Sequence, residues 1–307
     1  MSSVVAFGET FADAYWHSGK LLVQLGGCCA NVASEISLMG GKASIITKVS
    51  DDILGKFLLK SLADYGVITN LIVVCHDKKH HNTLNLIFQT NDGIEHLTYN
   101  GQCAEFTLRK DEVLFDEIPK YDIFHFGSNP LVSPNDRLVD ECIAFSKQHG
   151  LKISYDVNLR PGFWANNIEA SQVINKYVRK SDYVKMNEYE AEICTGSAGN
   201  LFRTIELLSN RYSDKVIIVT CSEKGSYILS KGVANFIPPR EMNFCDDVGA
   251  GDAYYAVFLH YLHSAGMDDS EYISIAKIAT EISALTVKYP GTIPAFRRAL
   301  SDIDLNP

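Results

Sequence analysis

From Cys245 to Leu259 the chain reads C-D-D-V-G-A-G-D-A-Y-Y-A-V-F-L, a carboxylate preceded by two glycines that bracket an alanine. The stretch joins an extended segment, Gly232 to Phe244, to an apolar helix, so Gly249, Ala250 and Gly251 fall in the connecting loop and Asp252 at the helix start. The unpaired N–H groups of a first helical turn and the positive end of its dipole form a site for anions such as phosphate. Glycine there removes the side chains that would block a phosphate. Asp252 has two readings. It is a cap favoured by the same dipole, or it is a base that takes the proton of an attacking hydroxyl while the N–H groups hold the charge on a transferred phosphoryl group.

Other polar residues recur just after apolar runs. Asp156-Val157-Asn158-Leu159-Arg160-Pro161 follows Lys152–Tyr155, and Asn187-Glu188-Tyr189-Glu190 follows Tyr183–Met186. Taken singly these are turn and cap residues. Gly26-Gly27-Cys28-Cys29-Ala30-Asn31 leads into a helix that Gly40-Gly41 stops; the Gly26-Gly27 pair either lets backbone approach a ligand or is a plain strand-to-helix turn. Asp13 lies in a stretch without helical period.

The elements that must position these residues show in the patterning. Val4–Phe7 is a short apolar strand; Ala43 to Val49 is a buried strand, and Asp51-Asp52 opens an amphipathic helix carrying Ile53, Leu54, Phe57, Leu58 and Leu62. Asn82 to Asn100 alternates around Asn91-Asp92-Gly93, a hairpin signal. From Tyr121 strands and helices alternate regularly: strand Asp122–Phe126, helix Asn135–His149, strand Lys152–Tyr155, helix Ile168–Val178, strand Tyr183–Met186, helix Glu188–Cys194 and strand Lys215–Thr220. Helices Asp252–Ala265 and Ser270–Lys288 follow. This order predicts right-handed crossovers and a mostly parallel sheet with helices on both faces, whose ligands gather beyond the strand C-termini.

The 307 residues are 46% apolar, ample for one packed core, and the formal charge is −9. That charge argues against nucleic acid or an anionic membrane as partner, since both are bound by basic surfaces. The eight cysteines show no C-x-x-C pair, and adjacent Cys28-Cys29 is poor zinc-ligand spacing. His76, His80 and His81, near Cys75, read as solvated loop histidines. No apolar run approaches the roughly 20 residues that span a bilayer, and the first residues lack a secretory pattern. A cytoplasmic protein with reduced thiols is expected.

In this order the motifs resemble those of the ribokinase or phosphofructokinase-B family of carbohydrate kinases, closest to fructokinases. D-D-V-G-A-G-D is similar to the family's D-T-x-G-A-G-D, with Asp247 and Val248 in place of Thr and a small polar residue. G-G-C-C-A-N-V-A is similar to G-G-A-P-A-N-V-A, and Gly8-Glu9 with Asp13 to G-E-x-x-x-D. D-V-N-L-R-P, N-E-Y-E and T-C-S-E-K-G resemble D-x-N-L-R-P, N-x-x-E and T-x-G-x-x-G. The resemblance runs from Gly8 to Ile293. It implies a single domain over residues 1–307: a ribokinase-like three-layer α/β/α fold with a mostly parallel central sheet and a small β-sheet lid formed by about 11–25 and 82–105.

On that resemblance Asp252 is the base, with Gly249, Ala250, Gly251 and Arg160 around the transferred phosphoryl group. Asp13, Gly26, Gly27 and Asn31 hold the sugar, Asn158, Asn187, Thr220, Ser222 and Gly225 border ATP, and Glu190 helps hold Mg²⁺. A monovalent cation such as K⁺ and a homodimer through the lid sheet are further features of the family. The implied activity is ATP-dependent phosphorylation of a free sugar, D-fructose foremost. Fructokinases commonly carry Arg after the second hairpin strand; Tyr99-Asn100-Gly101-Gln102 lacks it, which keeps another sugar, a riboside or a keto-deoxy sugar acid open as acceptor. A sugar-binding regulatory protein without catalysis is the reading of another class.

Overall fold

The chain is described by a computed structural model over residues 2–17, 19–90, 93–99, 101–132, 136–160, 164, 166–197, 199–240, 248–262 and 268–302. Its strands are β1 Val4–Phe7, β2 Phe11–His17, β3 Lys20–Gly26, β4 Ala43–Ser50, β5 Ile72–Cys75, β6 Leu84–Thr90, β7 Gly93–Tyr99, β8 Ile123–Phe126, β9 Lys152–Asp156, β10 Tyr183–Asn187, β11 Val216–Thr220, β12 Ser226–Ser230 and β13 Val233–Ile237. Its helices are α1 Cys28–Leu38, α2 Ile53–Asp64, α3 Asn129–Val132, α4 Asp136–Gln148, α5 Asn167–Lys180, α6 Glu188–Thr195, α7 Leu201–Arg211, α8 Ala250–Tyr261, α9 Asp269–Thr286 and α10 Ile293–Asp302.

Nine strands form one sheet in the order β13-β12-β11-β10-β9-β8-β1-β4-β5. The seven from β11 to β5 run parallel, and β12 and β13 add antiparallel at one edge. Strand residues alternate between two cores, as the period of two requires. Val4 and Ala6 of β1, with Val216 and Ile218 of β11, join the layer built on α1, α2, α8 and α9. Val5 and Phe7, with Ile217 and Val219, join the opposite layer of α4, α5, α6 and α7. Because both faces are covered, the central strands are apolar almost throughout.

A second sheet of four strands, β3-β2-β6-β7, stands apart. It combines the expected hairpin, framed by the Thr90–Gly93 pair, with β2 and β3, and β2 lies parallel to β6. The Asn91-Asp92 turn, Asn100, Asn135, Pro161, the stretch with Cys245 and Asp247, and the expected end of the Asp252 helix at Ala265 lie outside the described residues.

Elements not drawn from the patterning include the one-turn α3 and three others. α7 carries a helical period in Thr204, Ile205, Leu208 and Ser209, all buried, whereas β5 is a half-buried four-residue edge strand and α10 begins directly after a turn. The helix expected to open at Asp252 opens two residues earlier, at Ala250.

Candidate active site

The chain leaves β1 toward β4 on one side and later returns through β8 on the other, so the strand order reverses between β1 and β8. Loops beyond the strand ends at such a reversal diverge and leave a crevice. Glu9 follows β1, Gly127 follows β8, and Val157–Arg160 follow β9; Asn187 and Thr220 close β10 and β11. The N-termini of α1 and α8 meet at the same end.

Five helices with described caps begin with an Asn or Asp side chain that accepts backbone N–H groups: Asp52, Asn166, Asn187, Asn200 and Asp268. α1 and α8 do not. Their cap residues are Gly27 and Gly249, at φ 103° and 82°, with no capping side chain. Such angles are open to glycine and strained for residues with a Cβ. A Cβ on Gly249 would also run into the Thr292 side chain, and one on Gly251 would lie 3.1 Å from Lys185 Nζ.

Asp252 sits in the first turn of α8, and Asn31 Nδ2 of α1 donates to its Oδ2 at 2.8 Å. Asn31 itself rides on α1's first turn, its N–H bonded to Gly27 O at 2.8 Å. On β2, Asp13 accepts from Asn85 Nδ2 of β6 at 2.9 Å, with the Gly26 backbone packed directly on its carboxylate. Burial raises the Asp13 pKa to about 6, opposed by the Asn85 hydrogen bond and by Arg160, and assisted by Asp252. Arg160, exposed at the crevice, lies within electrostatic reach of Asp13, Glu9 and Glu190.

Behind the α8 start is a buried ion pair that patterning did not single out. Lys185 Nζ of β10 donates to both oxygens of Asp156 at 3.0 Å, with the two side chains 7% and 0% exposed. Burial alone would favour neutral lysine, but the Asp156, Glu190 and Asp252 carboxylates hold its pKa at about 12. The ammonium therefore stays charged below the glycine loop. A lone lysine in the otherwise apolar run Tyr183–Met186 was the available signal.

Glu190 closes a reciprocal box with Asn187: Glu190 N donates to Asn187 Oδ1 and Asn187 N to Glu190 Oε2, both at 2.8 Å. Its Oε1 accepts from Leu159 N at 2.6 Å, which pins the strand-to-loop turn holding Asn158, at φ 31°, and Arg160. Thr220 pairs in register with Asn187, and the turn with Ser222 and Gly225 follows. The structure thus gathers Asp13, Gly26, Gly27, Asn31, Arg160 and Asp252 around one crevice. Asn158, Asn187 and Glu190 flank it across the Lys185–Asp156 pair, and Thr220, Ser222 and Gly225 sit one strand further out.

The loop histidines are not gathered. His76 pairs with Asp51, His81 with Asp52 and His80 with Asp77. Among the described residues, the metal-capable cluster is Glu9, Cys28 and Cys29.

Comparison with known proteins agrees with this fold. The profile of pfkB family carbohydrate kinases matches residues 1–298. Probable fructokinase-5 of Arabidopsis thaliana is 30% identical over 306 residues, covering 95% of this chain and 93% of the relative. Fructokinase-1 of Zea mays is 28% identical over 305 residues, covering 95% and 94%. Among solved structures, a fructokinase from Xylella fastidiosa with bound ATP superposes with a TM-score of 0.86 at 21% identity over 98% of each chain. Aminoimidazole riboside kinase from Salmonella enterica gives 0.82 at 20% identity over 97% and 99%.

Proposed function

Because the chain belongs to the pfkB family of carbohydrate kinases, we propose that it transfers the γ-phosphoryl group of ATP to a primary hydroxyl of free D-fructose, forming fructose 6-phosphate. The observation that carries this reading is Asp252, set in the first turn of an uncapped helix behind Gly249 and oriented by Asn31. Asn31 engages one carboxylate oxygen and leaves the other for the acceptor's proton. As the hydroxyl attacks phosphorus, Asp252 takes that proton. The open N–H groups of Gly249, Ala250 and Gly251, with Arg160, meet the charge on the phosphoryl oxygens. Lys185 adds a fixed positive charge behind this loop without leaving Asp156.

Asp13, supported by Asn85, accepts hydrogen bonds from sugar hydroxyls, while the Gly26 and Gly27 backbone brings the sugar close. Asn158, Asn187, Thr220, Ser222 and Gly225 line the nucleotide side. Both oxygens of Glu190 already accept backbone N–H groups, so Glu190 would hold Mg²⁺ through water, the mode that ion favours. Bound with ATP, Mg²⁺ neutralises phosphate charge. A monovalent cation such as K⁺ belongs to the same reading, since the fructokinase from Vibrio cholerae has been solved with fructose, ADP and potassium ion.

Residues 11–25 and 82–105 act as a lid over the sugar on one kinase domain, limiting hydrolysis of ATP by water. The face of this sheet turned away from Asp13 exposes Trp16, Leu21, Val23, Leu97 and Tyr99, an apolar patch suited to a second copy of the chain. No described helix is long and apolar enough to cross a membrane. The free cysteines of the described residues suit the cytoplasm.

Coupled ADP release with MgATP tests the assignment, with fructose run beside ribose, glucose, a riboside and a keto-deoxy sugar acid. Turnover with fructose far above the others is expected. Turnover with a riboside alone would move the acceptor, in keeping with the absent Arg after β7. Sugar binding by folded protein without ADP release would replace the kinase with a binding protein.

A further inference from the structure

Adjacent cysteines on a helix point about 100° apart and make a poor pair of ligands, yet at the start of α1 the sulfurs of Cys28 and Cys29 lie 3.9 Å apart. Two features bring them together. Gly8 and Gly127, just past β1 and β8, lack the side chains that would occupy the space of the two sulfurs; a Cβ on Gly127 would sit 2.9 Å from Cys28 Sγ, and one on Gly8 would collide with Cys29 Sγ. Glu9, leaving β1, accepts from Cys28 N through Oε1 at 3.2 Å. The thiols therefore fill the crevice between the two strand ends, with the Glu9 carboxylate beside them.

The Glu9 carboxylate is incompletely satisfied. The side chain is 3% exposed, and Oε2 has no hydrogen-bond partner. A buried oxygen of this kind is costly unless something occupies it. One oxygen of Glu9 and both sulfurs lie within 4.8 Å of one another. With metal–sulfur bonds of about 2.3 Å, two thiolates on a tetrahedral zinc ion stand about 3.8 Å apart. The observed sulfur separation already matches that edge.

We propose that Glu9, Cys28 and Cys29 form a binding site for a thiophilic divalent cation, Zn²⁺ by preference, next to Asp252. On binding, both S–H bonds break, two sulfur–metal bonds form and two protons pass to solvent. The doubly charged ion replaces two unit charges, so the buried site gains no net charge from the exchange. Softer sulfur donors select zinc or cadmium over magnesium, which keeps the site distinct from the one assigned to Glu190. Its occupancy ties the end of β1 to the turn of α1 that carries Asn31 to Asp252. The site does not depend on which sugar is phosphorylated.

The probe is Cd²⁺, titrated into the folded, chelator-treated full chain and followed by sulfur-to-cadmium absorption in the ultraviolet. One equivalent per chain is expected to give a saturable band, lost in Cys28→Ser/Cys29→Ser and kept in Cys142→Ser, which changes a cysteine buried elsewhere. Glu9→Gln is expected to weaken binding roughly tenfold or more. A band that survives in the double variant, or no band in folded wild-type protein, overturns the proposal. Should the double variant not fold, cadmium NMR of the wild-type chain decides. A two-sulfur resonance supports the site, and an oxygen- or nitrogen-only resonance refutes it.

Discussion

α1 and α8 start alike and end up doing different work. Each begins at a positive-φ glycine with no capping side chain, unlike α2, α5, α6, α7 and α9, and the two first turns are joined by the Asn31–Asp252 hydrogen bond. At α1 the open end is closed from within, by Glu9 on Cys28 N and by two sulfurs packed against strand-end glycines. At α8 it stays open toward the crevice, with a carboxylate in place and a lysine ammonium behind. A glycine cap thus marks a working helix end, but the residues packed against it decide whether that end holds protein or ligand. On the proposed function the α8 end is the tool that carries the base, and the α1 end is chiefly a support, orienting Asp252 through Asn31 and bordering the sugar at Gly27.

The largest effect expected from this contrast is at Asp252. Asp252→Asn keeps the size and the Asn31 contact but removes the base, so kcat should fall on the order of a thousandfold or more while calorimetry still detects sugar and nucleotide binding. Near-normal turnover would remove α8 from the chemistry and leave the two helix ends equivalent.

Matched glycine substitutions sharpen the comparison. Gly27→Ala drives a Cβ to 2.6 Å from the Glu9 carbonyl oxygen, a backbone atom that cannot turn aside. Gly249→Ala meets the Thr292 side chain rather than backbone, its Cβ included at 3.0 Å. Gly27→Ala is therefore expected to lose roughly 2 kcal/mol or more in denaturant unfolding. Gly249→Ala should lose less stability but roughly a hundredfold in kcat, through displaced N–H donors. Equal losses by both measures in both variants would erase the distinction between support and tool.

The third expectation concerns Asp13, whose pKa burial raises from the ordinary 3.8 to about 6. Because the folded chain holds this proton more tightly than the unfolded chain, the group's contribution to stability grows as pH falls from about 6 toward 3.8. Sugar binding should move the other way: kcat/KM for sugar falls below pH 6 as Asp13 becomes neutral. Asp13→Asn should abolish both trends, and an unchanged acid limb in that variant would detach Asp13 from the profile.

The smallest effect belongs to an ordinary cap. Asp52→Ala removes the side chain that accepts from Gly55 N at 2.9 Å and should cost about 1 kcal/mol, with kcat unchanged.

What the sequence made legible follows the same division. Regular alternation after Tyr121 predicted the parallel sheet, and polar residues after strand ends marked Asp156, Arg160 and Asn187, because local pattern and topology agree there. Gly249 to Asp252 was readable because a glycine loop before a helix has few structural uses. Lys185 was not singled out, since its importance lies in a partner, Asp156, on the neighbouring strand 29 residues away. The approach of Cys28 and Cys29 was equally hidden: helical spacing separates them, and Gly8 and Gly127, distant in sequence, bring them together.

The Asn31–Asp252 contact also sets a timetable. It spans 221 positions, and at roughly 5 to 20 residues per second of synthesis, α8 emerges roughly ten to forty seconds after α1. Until then β1 and α1 lack the helix that covers them. A nascent chain therefore holds an unfinished crevice for most of its making, and on the proposed function phosphoryl transfer waits until the two helix ends, made at opposite ends of translation, close on each other.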